Sequence, residues 1–257
     1  NIQYRVWSGC AAILGTCLFL LFLSFNSHAK KLEPLNFATI NWEPFSGENL
    51  TGNGYFAVIS KEAFKLSGYD LNIEFVSWKR AVSGSYKGLY DGLIGSYYHE
   101  ERAKFVVYTH PVAATEQVFI KSKISSVKYT GEQDLHSLSI AVYTDSITHK
   151  MLVNKGYEVE SIPEYKMAIK MLLANRFDVF VMSREHLNWL LFNDPQMIPF
   201  KHRVEILQPP FAFFDVHNVI SREREDAQQI VDAFNDGLKK LKLSGKYDQI
   251  MTRFNPF

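Results

Sequence analysis

The stretch YDGLIGSYYHEERAKFVVYTHPV, Tyr90–Val112, begins as a buried strand and then turns abruptly polar. Its first half places Leu93 and Ile94 among small residues, a pattern typical of a strand inside a core. Two tyrosines, a histidine, two glutamates and Arg102 follow at once, and a second β-prone run begins at Phe105. A core strand that ends abruptly in aromatic and cationic side chains needs an explanation.

Short β-like runs alternate with helical patterns on both sides of this stretch. Strands separated by helices of about ten residues indicate βαβ units and mostly parallel sheets. The pattern runs twice, and each half is too small to bury a large core alone. The strand-like runs are LNFATI (Leu35–Ile40), DLNIEFV (Asp70–Val76), SLSIAVY (Ser137–Tyr143), YEVES (Tyr157–Ser161) and FDVFVM (Phe177–Met182).

Two long β-prone segments connect the halves. The first is Phe105–Ile120, which Pro111 interrupts, and its counterpart is Gln208–Ser221. They predict a chain that leaves one lobe, builds a second and returns. An apolar stripe running from Ala227 to Leu241 predicts a C-terminal helix that covers the first lobe's sheet.

The N-terminus has the three parts of a secretory signal peptide. Arg5 is the only charge before Lys30, and the apolar run Cys10–Phe25 is followed by the small residues Ser27 and Ala29. The run is short for a membrane span, which needs about 20 apolar residues. We therefore predict a signal peptide over residues 1–29 and a periplasmic mature protein. A lipoprotein cysteine within LGTC is the weaker alternative.

Composition excludes several classes of protein. Both cysteines, Cys10 and Cys17, lie in the predicted signal peptide, so the mature chain has no thiol for disulfides, zinc sites or nucleophilic catalysis. Of 28 basic residues, removing Arg5 leaves 27, against 27 acidic ones. This balance gives no electrostatic basis for binding nucleic acid.

Enzyme and metal motifs are not found. His99, His110 and His186 never reach the i, i+4 spacing of a helical zinc pair, and no serine lies in a Gly-x-Ser-x-Gly turn. We predict no catalytic residue, no metal ligand and no cofactor, and hence a binding protein rather than an enzyme.

Five stretches, taken in order, resemble the extracellular solute-binding proteins of family 3, the polar amino-acid type that feeds ABC importers. They span nearly the whole mature chain, which makes the resemblance specific for the fold. The stretches are Ile40–Ala81, Tyr90–Val112, IAVYTDSITHKML (Ile140–Leu152), ANRFDVFVMSREH (Ala174–His186) and IVDAFNDGLKKLKLSGKYDQIMTRF (Ile230–Phe254).

The resemblance implies an α/β fold of the two-lobed periplasmic-binding-protein type (type II). Each lobe is a mostly parallel sheet flanked by helices, and two β crossovers form the hinge. We place lobe one at residues 30–110 and 213–257, and lobe two at 111–212. The lobes of such proteins close on a small molecule, and in open α/β sheets ligands lie beyond the carboxyl ends of the strands.

Several ligand-binding residues follow from this resemblance. Arg102 matches the arginine that holds the ligand carboxylate, a role that suits its two parallel donors. The alternative from the residues alone is a surface pair with Glu100, Glu101 or Asp91. Further candidates are the aromatic residues of the cleft, which are Trp42 and Phe45 on either side of Glu43, then Trp78 and Tyr97.

Two departures affect the second lobe. Asp145 occupies a position where relatives commonly have glycine, and we expect it to cap the following helix, with Ser146 meeting the ligand. Ser183 stands where amino-acid binders place the aspartate that holds the α-ammonium. Glu185 or Glu43 could replace that acid, and Ser183 could instead cap a helix. A standard polar α-amino acid is therefore in doubt.

We expect a monomeric periplasmic protein that captures a small polar or zwitterionic solute for an inner-membrane ABC permease. One alternative is a periplasmic enzyme on the same fold, similar to a cyclohexadienyl dehydratase. A second is an orphan sensor that presents its ligand-bound form to a signalling partner.

Overall fold

A computed structural model describes residues 33–144 and 146–254. The predicted signal peptide, residues 1–29, and the predicted helix cap Asp145 lie outside the described residues. In the described part, no helix combines the length and the apolar character that crossing a membrane requires.

The described residues form one mixed nine-stranded sheet in the order β2-β1-β3-β9-β4-β7-β5-β6, with β8 paired to β4. The pairs β1–β2, β1–β3, β5–β6 and β5–β7 are parallel, as predicted. The strands are β1 (Glu33–Thr39), β2 (Tyr69–Phe75), β3 (Gly92–Tyr97), β4 (Val106–Ser122), β5 (Ile140–Tyr143), β6 (Val159–Ile162), β7 (Val179–Ser183), β8 (Val204–Ile206) and β9 (Ala212–Ser221).

Helices connect the parallel strands and cover the sheet. Most begin within a few residues of a strand end, which directs their N-termini toward the edge where β1, β3, β5 and β6 finish. The helices are α1 (Tyr55–Leu66), α2 (Trp78–Tyr86), α3 (Glu100–Ala103), α4 (Ile147–Asn154), α5 (Tyr165–Leu173), α6 (Arg184–Asn193), α7 (Ala227–Leu243) and α8 (Lys246–Phe254). Short 3₁₀ turns occupy Thr51–Asn53, Glu132–Ser137 and Ile198–Phe200.

The two predicted crossings are β4 and β9. All of β9 pairs antiparallel with β4 from Val106 to Gln117. Their register shifts on either side of Pro111, where a ladder hydrogen bond is lost because proline has no N–H. β4 and β9 are thus the strands shared by both halves of the sheet.

The buried side chains fall into separate clusters that divide along β4. Val112 packs with the helices α1 and α7, whereas Val118 and Ile120 pack with α5 and α6. Phe234, on the predicted C-terminal stripe, stacks at 4.9 Å against Phe64 of α1. The hydrophobic core therefore changes lobe between Val112 and Val118, while the division at residues 111 and 213 stays a prediction.

Candidate ligand-binding site

A cavity of about 390 Å³ lies where the strand ends of the two lobes face each other. All three tryptophans of the described residues lie on its wall. Its side chains are mainly aromatic or charged, and they include Trp42, Glu43, Trp78, Tyr97, His99, Arg102, Tyr143, Ser146, Lys150, Glu164, Tyr165, Lys166, His186, Trp189 and Asp194.

Six of the eight predicted site residues line this cavity, and two do not. The structure brings together Arg102, Trp42, Glu43, Tyr97, Trp78 and Ser146. Phe45 and Ser183 are buried elsewhere, with 0% and 4% of their surface exposed.

Arg102 lies in the short helix α3, directly after β3. Its Nη1 donates to Ser96 Oγ at 2.8 Å and to the Tyr97 carbonyl at 3.0 Å, so its own lobe fixes one edge of the guanidinium. The guanidinium carbon lies 5.1 Å from the centre of the Trp78 ring, within the range of a cation–π contact. The predicted alternative, a surface pair with Glu100, Glu101 or Asp91, is not found among the described residues. Glu101 pairs with Lys104, and Asp91 pairs with Arg224.

Parts of the Arg102 side chain have no acceptor among the described residues. Nε is buried without a hydrogen-bond partner, and no described side chain or carbonyl accepts from Nη2. Because Arg102 lines the cavity, Nη2 is the donor left for an acceptor supplied by a bound molecule.

Tyr97 contributes its ring and not its hydroxyl. The ring packs edge-on against Trp42 at 5.6 Å, while the hydroxyl shares a 2.8 Å hydrogen bond with Thr115 and accepts from Gln117 at 3.1 Å. Burial raises the pKa of Tyr97 well above its usual range, so it stays a neutral phenol. The residue therefore ties the cavity wall to the crossover strand β4.

Phe45 supports the cavity wall from behind. Its ring lies 4.2 Å from that of Trp42 and stacks at 4.9 Å on Phe56 of α1. The predicted pair of aromatic residues on the ligand thus reduces to Trp42, which Phe45 holds in place.

The cap of α4 is Ser146, and the expectation that Asp145 fills this position is wrong. Ser146 has an extended backbone, and its Oγ accepts from the His149 N–H at 3.0 Å. Serine and aspartate are comparable caps, so the sequence favoured either residue. Since one lone pair of the hydroxyl is used locally, Ser146 can offer a ligand its proton and its remaining lone pair.

Ser183 takes the N-cap position of α6, its predicted alternative, but its side chain makes no cap hydrogen bond. Glu185, one predicted replacement acid, lies outside the cavity wall and accepts from the Glu116 N–H at 3.2 Å. Its other oxygen is buried without a described partner, and burial raises its pKa. Glu43 is the replacement acid that reaches the cavity.

His186 makes a hydrogen bond across the cleft. The residue belongs to α6, and its Nδ1 donates to the backbone carbonyl of Glu43 in the loop after β1. Burial lowers the pKa of His186 to about 4, against the opposing effect of this hydrogen bond, so the ring is neutral at pH 7. A neutral imidazole that donates through Nδ1 presents a lone pair at Nε2.

A second contact between the lobes lies near Arg102. Lys150 of α4 places Nζ 3.4 Å from His99 Nε2 of the β3–α3 connection. Desolvation, then Lys150 and Arg102, lower the pKa of His99, so the imidazole is neutral between two cations. We call Arg102, His99 and Lys150 the cationic end of the cavity.

Three carboxylates form the opposite group, which we call the acidic end: Glu43, Glu164 and Asp194. Glu164 caps α5 by accepting from the Lys166 and Met167 N–H groups at 3.0 and 2.6 Å. Asp194 accepts from the Gln196 N–H at 2.8 Å and lies 3.4 Å from the Lys166 ammonium. Both acids of lobe two are therefore already engaged.

Sequence reasoning missed most of the second lobe's contribution. The turn after β6, Pro163–Lys166, follows the carboxyl end of a parallel strand, and the rule that located Arg102 applies to it equally. His186 gives no such signal, because its partner Glu43 lies 143 positions away. Within residues 33–144 and 146–254, no group of three or more candidate ligands could hold a metal ion.

The sequence profile of the bacterial extracellular solute-binding proteins, family 3, matches residues 35–256. The chain belongs to this family. Its members are extracellular or periplasmic proteins that bind small molecules, and the two-lobed type II fold predicted from the sequence is confirmed.

Among its relatives, a probable histidine-binding protein of Campylobacter jejuni is 22% identical over 213 residues, covering 76% of this chain and 78% of the relative. A histidine kinase sensor domain similar to periplasmic binding proteins has a TM-score of 0.75 at 19% identity, covering 88% and 97%. The ancestral amino acid-binding protein AncCDT-1, a precursor of cyclohexadienyl dehydratase, has a TM-score of 0.69 at 18% identity, covering 86% and 95%. At these identities the two structures establish the fold of this family 3 protein and leave its solute open.

Proposed function

We propose that this protein is a periplasmic solute-binding protein that closes on a small acid and delivers it to an ABC-type importer. Arg102 binds the acidic group from lobe one, with Lys150 approaching from lobe two, while Trp42 and Trp78 enclose the body of the solute. The amino-acid-like class agrees with the histidine-binding name of the Campylobacter jejuni relative.

The observation that carries the proposal is the unfinished coordination of Arg102. Nη1 is fixed by Ser96 and Tyr97, Nη2 has no described acceptor, and the residue lines the cavity. The two N–H groups of Nη2 can both donate to an acid, as charge-assisted hydrogen bonds. Fixing the arginine beforehand reduces the conformational entropy lost on binding.

The cavity also suits enclosure of a whole small molecule. A volume near 390 Å³ is at the lower end of ligand pockets, and aromatic walls with a few polar anchors are their usual composition. Contacts between the lobes at Glu43–His186 and His99–Lys150 close the cavity from two sides. Binding thus stabilises the closed form relative to an open one.

A thermal-shift screen on ligand-free protein tests the proposal. The panel contains amino acids, ω-amino acids, dicarboxylates, short peptides and polyamines. A solute at 100 times its Kd adds about 2.7 kcal/mol to the free energy of unfolding. We expect acids to stabilise the protein and polyamines, which lack an acid, to have no effect.

Arg102→Ala, measured by calorimetry with the best solute, should weaken binding by about 100-fold or more, because it removes a partly buried charge partner. Arg80→Ala is the matched control, since Arg80 lies on the same lobe, has 69% of its side chain exposed and pairs with Glu74. Equal affinity of Arg102→Ala and the wild type would reject the assignment.

Two further measurements distinguish a transport role from the enzyme and sensor alternatives. Incubation with prephenate-like and arogenate-like acids, followed by chromatography, should return them unchanged. Conversion of either acid would favour the enzyme alternative. Uptake of the labelled solute by cells should fall when the gene is deleted, whereas a sensor would leave uptake intact.

A further inference from the structure

The charged side chains that line the cavity form two groups, each with its own contacts. At the cationic end, Arg102 and Lys150 carry the charge, and no described carboxylate that lines the cavity lies with them. At the acidic end, three carboxylates face one ammonium, that of Lys166. A molecule with one charge of each sign is therefore favoured in one orientation only.

Different charges shift the pKa values of His99 and Glu43. The charges that act on His99 are Lys150, Arg102 and the neighbouring glutamates of α3. Those that act on Glu43 are Lys166 and Asp194. The two sets share no member, although each effect falls off with distance through the same cavity.

Glu43 is the carboxylate that remains available at the acidic end. Its only hydrogen-bond donor in the described part of the chain is its own N–H, whereas Glu164 and Asp194 are held by backbone donors or by Lys166. Burial raises its pKa, as expected for a carboxylate short of partners. The neutral ring of His186 lies beside it and offers a second acceptor.

Aromatic side chains form much of the remaining cavity wall. Tyr165 stacks on Tyr143 at 4.4 Å and meets His186 edge-on at 4.7 Å, and Trp42 continues the wall toward Tyr97. Such a wall suits methylene groups or a flat ring. It provides few polar partners for a charged group in the middle of a solute.

An α-amino acid does not match this arrangement. Its ammonium and its carboxylate are attached to neighbouring carbons, so a carboxylate on Arg102 would leave the ammonium at the cationic end. There the ammonium would meet Lys150 and Arg102 with no described counter-charge. The carboxylate that could balance it, Glu43, belongs to the acidic end.

We propose that the site selects acids whose cationic group is several bonds from the carboxylate, such as ω-amino or ω-guanidino carboxylates, and that it does not require an α-ammonium. Arg102 and Lys150 bind the acid, and Glu43 with His186 Nε2 accepts from the distal cation. This inference rests on the proposed function, since it specifies the solute of the same cavity.

Calorimetry with matched pairs of solutes tests the inference. One pair is lysine and 6-aminohexanoate, and the other is arginine and 5-guanidinopentanoate; in each the second compound lacks only the α-ammonium. Hexanoate lacks the distal cation as well. We expect the second compound of each pair to bind at least as tightly as the first, and hexanoate to bind at least 10-fold more weakly than 6-aminohexanoate.

Glu43→Gln tests whether Glu43 binds the distal cation of the solute. It should weaken 6-aminohexanoate by at least 10-fold and change hexanoate by less than 2-fold, a contrast that a misfolded variant would not give. Glu48→Gln is the matched control, because Glu48 lies exposed in the same loop and outside the cavity wall. Unchanged binding of 6-aminohexanoate by Glu43→Gln would overturn the inference.

Asp145 provides the second way to overturn it. This residue precedes Ser146 in the sequence and lies outside the described residues. If α-amino acids bind 10-fold more tightly than their analogues and Asp145→Asn removes that preference, Asp145 serves the α-ammonium and the inference is wrong. If no acid binds at all, the proposed function fails as well, so the two failures are distinguishable.

Discussion

The two ends of the cavity are assembled in different ways. At the cationic end, Arg102 is held by Ser96 and Tyr97 of its own lobe, so these two hydrogen bonds need no residue of the second lobe. At the acidic end, Glu43 and His186 come from different lobes and are joined by one hydrogen bond across the cleft. In the proposed open form Arg102 would therefore be preformed, whereas Lys150 and the Glu43–His186 contact join it only when the lobes close.

This difference indicates an order of events. A preformed guanidinium can bind an acid in the open form with little loss of entropy. Closure then brings α6 onto the loop after β1 and buries the distal part of the solute. Affinity should depend most on the preformed end, while the coupling of binding to closure should depend on the end that is assembled.

The largest expected effect on solute affinity comes from replacing the Arg102 guanidinium by another cation of different shape. Arg102→Lys retains a cation but loses the planar guanidinium, its hydrogen bond to Ser96 and its cation–π contact with Trp78. We expect solute affinity to fall roughly 100-fold, nearly as far as in the alanine variant. Calorimetry at fixed ionic strength measures the loss. A change below 3-fold would mean that the cationic end acts by charge alone.

The acidic end should respond to pH through His186. The closed form holds this ring neutral with a pKa of about 4, and in an open form exposed to water its ordinary value is 6.5. Between these two pKa values the closed form binds fewer protons than the open form. Solute affinity is therefore highest above pH 6.5 and falls as the pH drops toward 4. At pH 5 the loss is up to about 30-fold.

Other groups that line the cavity also affect the pH dependence of affinity. A variant of His186 isolates the contribution of this residue. Glu164 acts on the ring, Glu43 has a raised pKa that works in the opposite direction, and His99 has a lowered pKa at the cationic end. His186→Asn keeps an amide donor near the position of Nδ1 and cannot titrate. Its affinity, followed from pH 7.5 to 5, should lose the His186 component. Identical pH profiles for variant and wild type would contradict a role for the imidazole.

The same contrast explains what could be predicted from the sequence. Arg102, Tyr97 and the βα order follow from local patterns, because a strand, its end and the next helix are consecutive in the chain. Phe45 was placed on the ligand because a sequence cannot distinguish a ring that faces the cavity from one that packs 4.2 Å behind Trp42. His186 was missed as a site residue because it acts through a carbonyl in another lobe, a contact fixed only by the tertiary fold.

Lys150 should have an intermediate effect, since it belongs to the cationic end but arrives from lobe two. Its side chain is exposed, so its attraction for the acid is screened by salt. We expect Lys150→Met to weaken binding by about 5-fold at low salt and by less at 0.5 M, following the usual size of exposed ion pairs. Lys155→Met is the control, because Lys155 pairs with Glu132 outside the cavity wall. A salt-independent loss would point to packing rather than charge.

The smallest effect is expected at Ser146, where two roles can be separated. As the cap of α4, its hydroxyl accepts from His149, and Ser146→Ala should lower the free energy of unfolding by about 1 kcal/mol with or without solute. If the hydroxyl also donates to the bound acid, solute affinity falls in addition, by about 3- to 10-fold for one hydrogen bond. Ser146→Asp distinguishes these contributions, because aspartate restores the cap but adds a negative charge beside the cationic end. Denaturation and calorimetry on the same samples should then show stability recovered and affinity reduced further, whereas recovery of both would leave Ser146 with the cap alone.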